Sequence, residues 1–380
     1  MNETVAIIGF GASGLMAGSL LGLEAYVLEK TGTAGKKLCL TGGGKCNFTH
    51  DASPAELLDA YYEKRNFVRP AIYAFPPEKI VEHMEKLGID AIVNEEGKIF
   101  PRSLKAVDVR NALSNRAGKV FYGEKVKRII KKDDEFLIFT EKDIYKAGYV
   151  LMCTGGNTFR DTGSEGDGYE ILKALGHNIV TPRPALGRLN LEDNPLKGAE
   201  GITIPLTLTL GKVSMHGSAV ITANGISGPV VENFSRYVHD KEKIRISFLD
   251  LDREEIKKNN GKAMLKNTLD LPERITESLL GELAFKKIAD LSKRDINTVM
   301  SRIADLEINA TVPSLTAMTT TGGVDTREID SKTMMSKKVK NLYILGELCD
   351  VDAFCGGYSL TWAFASAYLA VQDIRRKKAE

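Results

Sequence analysis

The chain opens on an apolar run, Val5 to Ile8, followed by a turn with spaced glycines, a helix of small residues and a second apolar run, Ala25 to Leu28. That order predicts strand, turn, helix, strand. Pro76-Pro77 breaks the chain before Glu78 to Leu87, where Ile80, Val81, Met84 and Leu87 share one helical face. Asn94-Glu-Glu-Gly97 reads as a hairpin turn between 89–93 and 98–100. Val107 to Ala117 repeats the amphipathic helical pattern, and 120–130 and 135–140 alternate as strands. Tyr149 to Cys153 is a continuously apolar strand that runs into Thr154-Gly155-Gly156.

After Thr181-Pro-Arg-Pro184 the texture changes. Short strands and turns fill the stretch to Leu251, and from Arg253 to Glu307 the pattern is helical, rich in lysine and poor in glycine. Strand character returns over Val312 to Thr321. A short apolar strand, Leu342 to Leu345, then precedes a final helix, Tyr358 to Lys377, with alanine and serine on its packed face. No internal repeat interrupts this order. The simplest division is a discontinuous α/β nucleotide domain, residues 1–182 plus 312–380, around a β-rich domain (183–251) and a helical domain (252–311).

The first unit carries the most specific chemistry. Val5 to Ile8 enters Gly9-x-Gly11-x-x-Gly14, and Glu29 ends the second strand 20 residues after Gly9. In a dinucleotide site the first glycine permits the tight turn and the second lets a pyrophosphate approach the backbone. The third lets helix and strand pack closely. Ala12 and Ser13 start a helix whose free amides and positive dipole end suit phosphate, and Glu29 is placed to accept from a ribose diol. Spacing of this kind with a strand on each side points to a dinucleotide, and by itself leaves FAD and NAD open.

Bulk properties narrow the class. The chain has 380 residues, 43% hydrophobic and 27% charged, with a net charge of +2, so it is an ordinary globular chain with no electrostatic bias toward nucleic acid. Cys39, Cys46, Cys153, Cys349 and Cys355 are odd in number and show no paired spacing, which predicts a reduced, cytoplasmic protein. The first strand starts so early that a signal peptide is not expected, and no apolar run reaches the ~20 residues of a membrane span. His50, His83, His177, His216 and His239 are scattered without ligand spacing, so no metal site is expected. Arg102 and Lys105 read as a solvated loop.

Three further features favour FAD. Lys30 is followed by a loop dense in glycine, in which Lys36 and Lys37 precede Thr41-Gly42-Gly43-Gly44-Lys45-Cys46-Asn47. Its glycines let amides approach an extended ligand, and Lys45 can neutralise phosphate. Gly346-Glu347-x-x-Asp350 follows a late strand, where an acid can meet a ribityl chain. Gly356-Gly357-Tyr358-Ser359 opens the last helix, whose amides can stabilise negative charge on a reduced flavin. Val126, in a strand after a glycine turn, reads either as an adenine clamp or as a plain core valine. Thr154, Gly155 and Gly156 are expected beside the cofactor.

With these blocks in view, the chain resembles a bacterial flavoprotein family of aminoacetone oxidase-like, bile-acid reductase-like (BaiN type) and ribosomal-RNA dihydrouridine-forming (RdsA type) members. The resemblance rests on Gly35 to Thr49, Thr154 to Gly156, Thr162 to Tyr169, Gly225-Ile-Ser-Gly-Pro229 and Thr320 to Ala363, and spans nearly the whole chain. Glu165 stands where similar members carry threonine, and Phe159-Arg160 and Ala223-Asn224 also depart from the common pattern. The resemblance implies a Rossmann-like FAD-binding domain with an inserted β-barrel-like domain and a helical lid. It also implies hydride transfer at flavin N5.

NAD(P)H is expected as a transient donor, or oxygen as acceptor, because no second GxGxxG unit is present. A small-molecule substrate is the leading expectation. Reduction of a uridine in 23S ribosomal RNA is the second, with Arg183, Arg188 and lysines of 253–307 on phosphate, and a non-catalytic flavin protein is the third. Cys46 and Tyr358 are the candidate general acids. For Cys46 a buried packing thiol is the favoured reading over a redox partner of the flavin.

Overall fold

The computed structural model describes residues 3–258 and 261–380. Residues 259 and 260, within the expected helical stretch, lie outside the described residues. The chain divides into two compact units, one running to Arg183 and resuming over Met318–Glu380, the other Pro184–Ala317.

In the first unit, β1 (Val5–Ile8), α1 (Ala12–Leu21) and β2 (Ala25–Glu29) form the expected crossover. β3 (Lys119–Tyr122), β4 (Tyr149–Met152) and β5 (Leu342–Ile344) complete a five-stranded sheet in the order β5-β4-β1-β2-β3. Every adjacent pair is parallel. β1 and β4 are buried at every position, as strands covered on both faces must be. The strand order reverses at β1, which makes the carboxyl ends of β1, β2 and β4 the place where such sheets bind ligands. α2 (Tyr358–Ala379) packs a face that includes Ala363, Ala365, Ser366, Ala367 and Ala370, small enough for close approach. Three antiparallel strands, Val126–Lys132, Glu135–Thr140 and Ile144–Ala147, lie in sequence between β3 and β4.

The second unit is built on a closed six-stranded barrel. Its longest pair, Thr203–Leu210 and Val213–Thr222, keeps antiparallel register from Thr203 opposite Val220 to Leu210 opposite Val213. Ile204, Leu206 and Leu208 point into the core while Thr203 and Pro205 stay exposed, a period-2 pattern. Closure needs Leu306–Thr311, which pairs with both Leu189–Leu191 and Glu242–Ser247. Helices Glu273–Leu280 and Lys293–Val299 contribute Ile275, Leu279, Ile296 and Val299 to the same hydrophobic cluster as the barrel strands. The β-rich and helical stretches of this unit therefore share one core.

Three expected elements differ. Residues 120–130 are two strands in two sheets, because Gly123, at φ 73°, turns the chain between them. The strand expected at 312–321 appears as Leu306–Thr311 and Thr319–Val324, with a turn between. The helical pattern of 253–307 gives short helices rather than one long element, the last of them followed by a one-turn π-helix, Met300–Ala304, before the barrel strand. Among the described residues no helix is long and apolar enough to cross a membrane.

Candidate functional site

The glycine turn after β1 divides three tasks among three residues. Gly9 has φ 91°, and a β-carbon there would lie 2.7 Å from the Cys153 carbonyl oxygen. Gly14 packs the start of α1 onto the turn so closely that its β-carbon would lie 2.1 Å from the Gly9 oxygen. Gly11 has nothing within 4 Å of that position, so space is left open above the N-terminus of α1. No side chain caps this helix, and the amides of Ala12, Ser13 and Gly14 fall among the first-turn donors that a helix leaves unsatisfied. Glu29 is buried, and its two carboxylate oxygens accept from the Phe10 and Thr31 amides at 2.7 Å each. These bonds fix its orientation at the end of β2.

A second glycine turn, Thr41 to Asn47, is built by torsion. Gly42, Gly43 and Gly44 take φ of 58°, 65° and 84°, and Cys46 follows at 60°. Cys46 is fully buried, and burial pushes its thiol up to about 12, so it stays protonated at neutral pH. None of the five cysteines is joined in a disulfide among the described residues. Asn47 is buried with its Oδ1 lacking a hydrogen-bond partner, and it faces the start of α2: a β-carbon on Gly357 would lie 2.8 Å from that oxygen. Tyr358, the first residue of α2, stacks on His50 with ring centres 5.1 Å apart. Its phenol is raised by burial. The Tyr61 hydroxyl donates to the Tyr358 carbonyl at 2.8 Å.

A third group follows β4 and β5. Thr154 Oγ1 is buried and unpartnered, as is the hydroxyl of Tyr169. Gly156 is crowded, since a β-carbon there would lie 2.6 Å from Glu347 Oε1, whereas Gly155, at φ 72°, is conformational. Glu347 is already engaged: both its oxygens lie 2.8 Å from Lys37 Nζ, and Oε1 accepts from the Thr320 amide at 2.9 Å. Lys37 also donates to Thr158 Oγ1 at 2.9 Å. Asp350 pairs with Lys64, and Lys30 pairs with Asp167 and with Glu165. Gly346 donates its amide to Ser366 and accepts Trp362 Nε1 at 3.0 Å.

Of the other expected ligands, Val126 is a buried strand start, Lys45 is exposed and Lys36 is part-exposed; neither lysine has an ion-pair partner among the described residues. Gly356, at φ 149°, and Ser359 flank the α2 start, while Thr41 donates to the Leu38 carbonyl. Among the described residues no cluster of three His, Cys, Asp or Glu suits a metal.

Sequence reasoning missed Lys37, Lys64, Tyr169 and His50 as members of these networks. Lys36 and Lys37 are adjacent and alike, and only the turn at 38–40 decides which ammonium faces Glu347.

Comparison with known proteins agrees with this architecture. A family model described as HI0933-like protein Rossmann domain matches residues 3–373. The ribosomal RNA dihydrouridine synthase of Haemophilus influenzae is 30% identical over 398 residues, covering 98% of each chain. The 3-dehydro-bile acid delta(4,6)-reductase of Clostridium scindens is 28% identical over 401 residues, covering 96% of this chain and 97% of that protein. Among solved structures, 3-ketosteroid delta1-dehydrogenase from Sterolibacterium denitrificans superposes with a TM-score of 0.54 at 11% identity, covering 99% of this chain and all of that one, a likeness of fold.

Proposed function

This chain belongs to the HI0933-like Rossmann family and is an FAD-dependent oxidoreductase, and we propose that it moves hydride between flavin N5 and an organic substrate, with NAD(P)H or oxygen as redox partner. The observation that carries this reading is a convergence. The turn at Gly9–Gly14, the acid Glu29, Thr154–Gly156 and Gly346 all leave the carboxyl ends of parallel strands in one unit. Six buried polar side-chain atoms without hydrogen-bond partners lie among the described residues of that unit, and three of them, Asn47 Oδ1, Thr154 Oγ1 and Tyr169 Oη, belong to the segments just named or to those that meet them, as expected of groups that await a polar ligand.

These residues fit FAD. In this reading the amides of Gly11, Ala12 and Ser13 take the pyrophosphate, Glu29 the adenosine ribose, and Lys36 and Lys45 offset phosphate charge. Gly357, Tyr358 and Ser359 present helix amides to the flavin edge, with Asn47 as a further polar contact. Glu347 acts through Lys37 as an organiser of this rim. Bound FAD supplies the two-electron carrier. The buried Cys46 thiol is a packing group, which leaves Tyr358, protonated at neutral pH and next to His50, as the proton donor that accompanies hydride to a carbon–carbon double bond.

A second reading, reduction of a uridine in ribosomal RNA, is favoured by the 30% identity to the Haemophilus synthase. Hydride would then reach C6 of a flipped base and a proton C5. Lys266 and Lys286 are neutralised by Glu273, Glu277 and Asp295 of their own segment, so in this reading phosphate contact falls to other cations.

One experiment separates the readings. The flavoprotein is reduced anaerobically with NADH or NADPH, then offered an unsaturated steroid-type ketone or an rRNA fragment. Re-oxidation by the ketone supports the first reading, and re-oxidation with dihydrouridine formed in the RNA supports the second. A colourless protein whose spectrum is unchanged by added FAD ends both.

A further inference from the structure

Beside Glu29, a surface cleft of about 460 Å³ is lined by Lys30, Thr31, Gly123, Lys125, Gly163 and Glu165, together with Glu141, Arg160 and Asp161. Its size falls within the roughly 300–1,000 Å³ of small-molecule sites. Backbone bonds make its floor: the Gly123 amide donates to the Thr31 carbonyl at 3.3 Å, and the Glu124 amide to the Glu29 carbonyl at 3.0 Å. The lining carries three cations and three acids, a balanced set with no surplus positive charge for an additional phosphate.

Its outer wall is the segment 157–166. Phe159 and Gly163 have φ of 54° and 95°, and Gly163 rests on β2's exit so closely that a β-carbon would lie 2.8 Å from Thr31 Cγ2. Where this wall meets β2, Lys30 Nζ lies 2.9 Å from Glu165 and also pairs with Asp167. Lys125 Nζ lies 3.4 Å from Glu165 and 2.9 Å from Asp167. Asp167 sits on the helix Asp167–Ala174, so its two ion pairs anchor the base of the wall. Glu165 is the one of the two acids carried by the wall itself.

With the adenosine end of FAD at Glu29 as the reading above has it, we propose that Glu165 is a positioning residue that keeps the 157–166 wall closed beside it through Lys30 and Lys125. The inference rests on the FAD reading above and adds a retention element to it. Release of the cofactor then requires the ion pairs to part, so the rate of release depends on salt and on Glu165.

The test measures FAD release from the holoprotein by recovery of flavin fluorescence, at low and at molar ionic strength, between which the Debye length falls from about 30 Å to about 3 Å. Wild-type release is expected to speed up with salt. Glu165→Gln, half-exposed and of the same shape, is expected to release FAD about fivefold faster at low salt, the upper range for a part-exposed ion pair, and to show little further response to salt. Lys125→Met is expected to act in the same direction, with a double variant less than multiplicative. Wild-type release rates and salt response in both folded single variants would overturn the assignment of Glu165 while leaving FAD binding intact. Failure of the wild-type chain to bind FAD at all would instead overturn the reading beneath it.

Discussion

The two glycine turns of the first unit look alike in the sequence and differ in physics. In Gly9–Gly14, Gly9 and Gly14 are required by space: backbone oxygens stand 2.7 and 2.1 Å from where their β-carbons would be. Gly11 has an unremarkable φ of −78° and open space. In Thr41–Asn47 the reverse holds, since Gly43 has nothing within 4 Å and is required by its left-handed φ of 65°. One turn is a packing joint with a single vacancy, and the other is a bent ribbon. A glycine therefore says little until it is known whether space or torsion demands it.

Substitution with alanine separates these cases. The largest effect is expected at Gly14. Its methyl would overlap a backbone oxygen that cannot rotate away, so Gly14→Ala should cost about 3 kcal/mol in denaturant unfolding. A midpoint equal to wild type would mean that helix and turn are not so tightly joined. Next comes Gly43→Ala, where strain alone operates, at about 1–2 kcal/mol. Gly43→Asn should recover part of that loss, because asparagine tolerates the left-handed region, and equal losses for the two would remove torsion as the cause.

The smallest effect on stability, and the sharpest on function, is expected at Gly11. Gly11→Ala should leave unfolding unchanged and weaken FAD binding by at least about tenfold, or ~1.4 kcal/mol. A fully stable variant with wild-type FAD affinity would show that the vacancy is not where the pyrophosphate lies.

The same contrast explains what could be read from the chain. The βαβ unit was legible because glycine spacing and apolar runs report local backbone geometry, and Glu29 follows from the strand's length. The barrel's alternation was legible, but its closure was not. Leu189–Leu191 is completed by Leu306–Thr311, and no local pattern records so distant a pairing. Residues 120–130 alternate as one strand in the sequence although a glycine turn precedes Val126, and only the fold shows that the two halves join different sheets. Within the site, the motif glycines could be named, whereas Lys37 and Glu347, 310 positions apart, and Lys64 and Asp350, 286 apart, become partners only through the fold. Glu347 therefore reads in sequence as a ligand and in space as the anchor of a lysine.

Trp362 turns this architecture into an instrument. It is the chain's single tryptophan, it is buried, and its indole donates to the carbonyl of Gly346, while Phe67 meets its ring edge-on at 5.8 Å. Its ultraviolet emission comes from one known point under the rim that follows β5, with no label and no competing indole. A buried indole emits toward the blue, and an isoalloxazine nearby accepts that energy. Titrating FAD while watching this one chromophore therefore reports binding itself, separately from any later turnover.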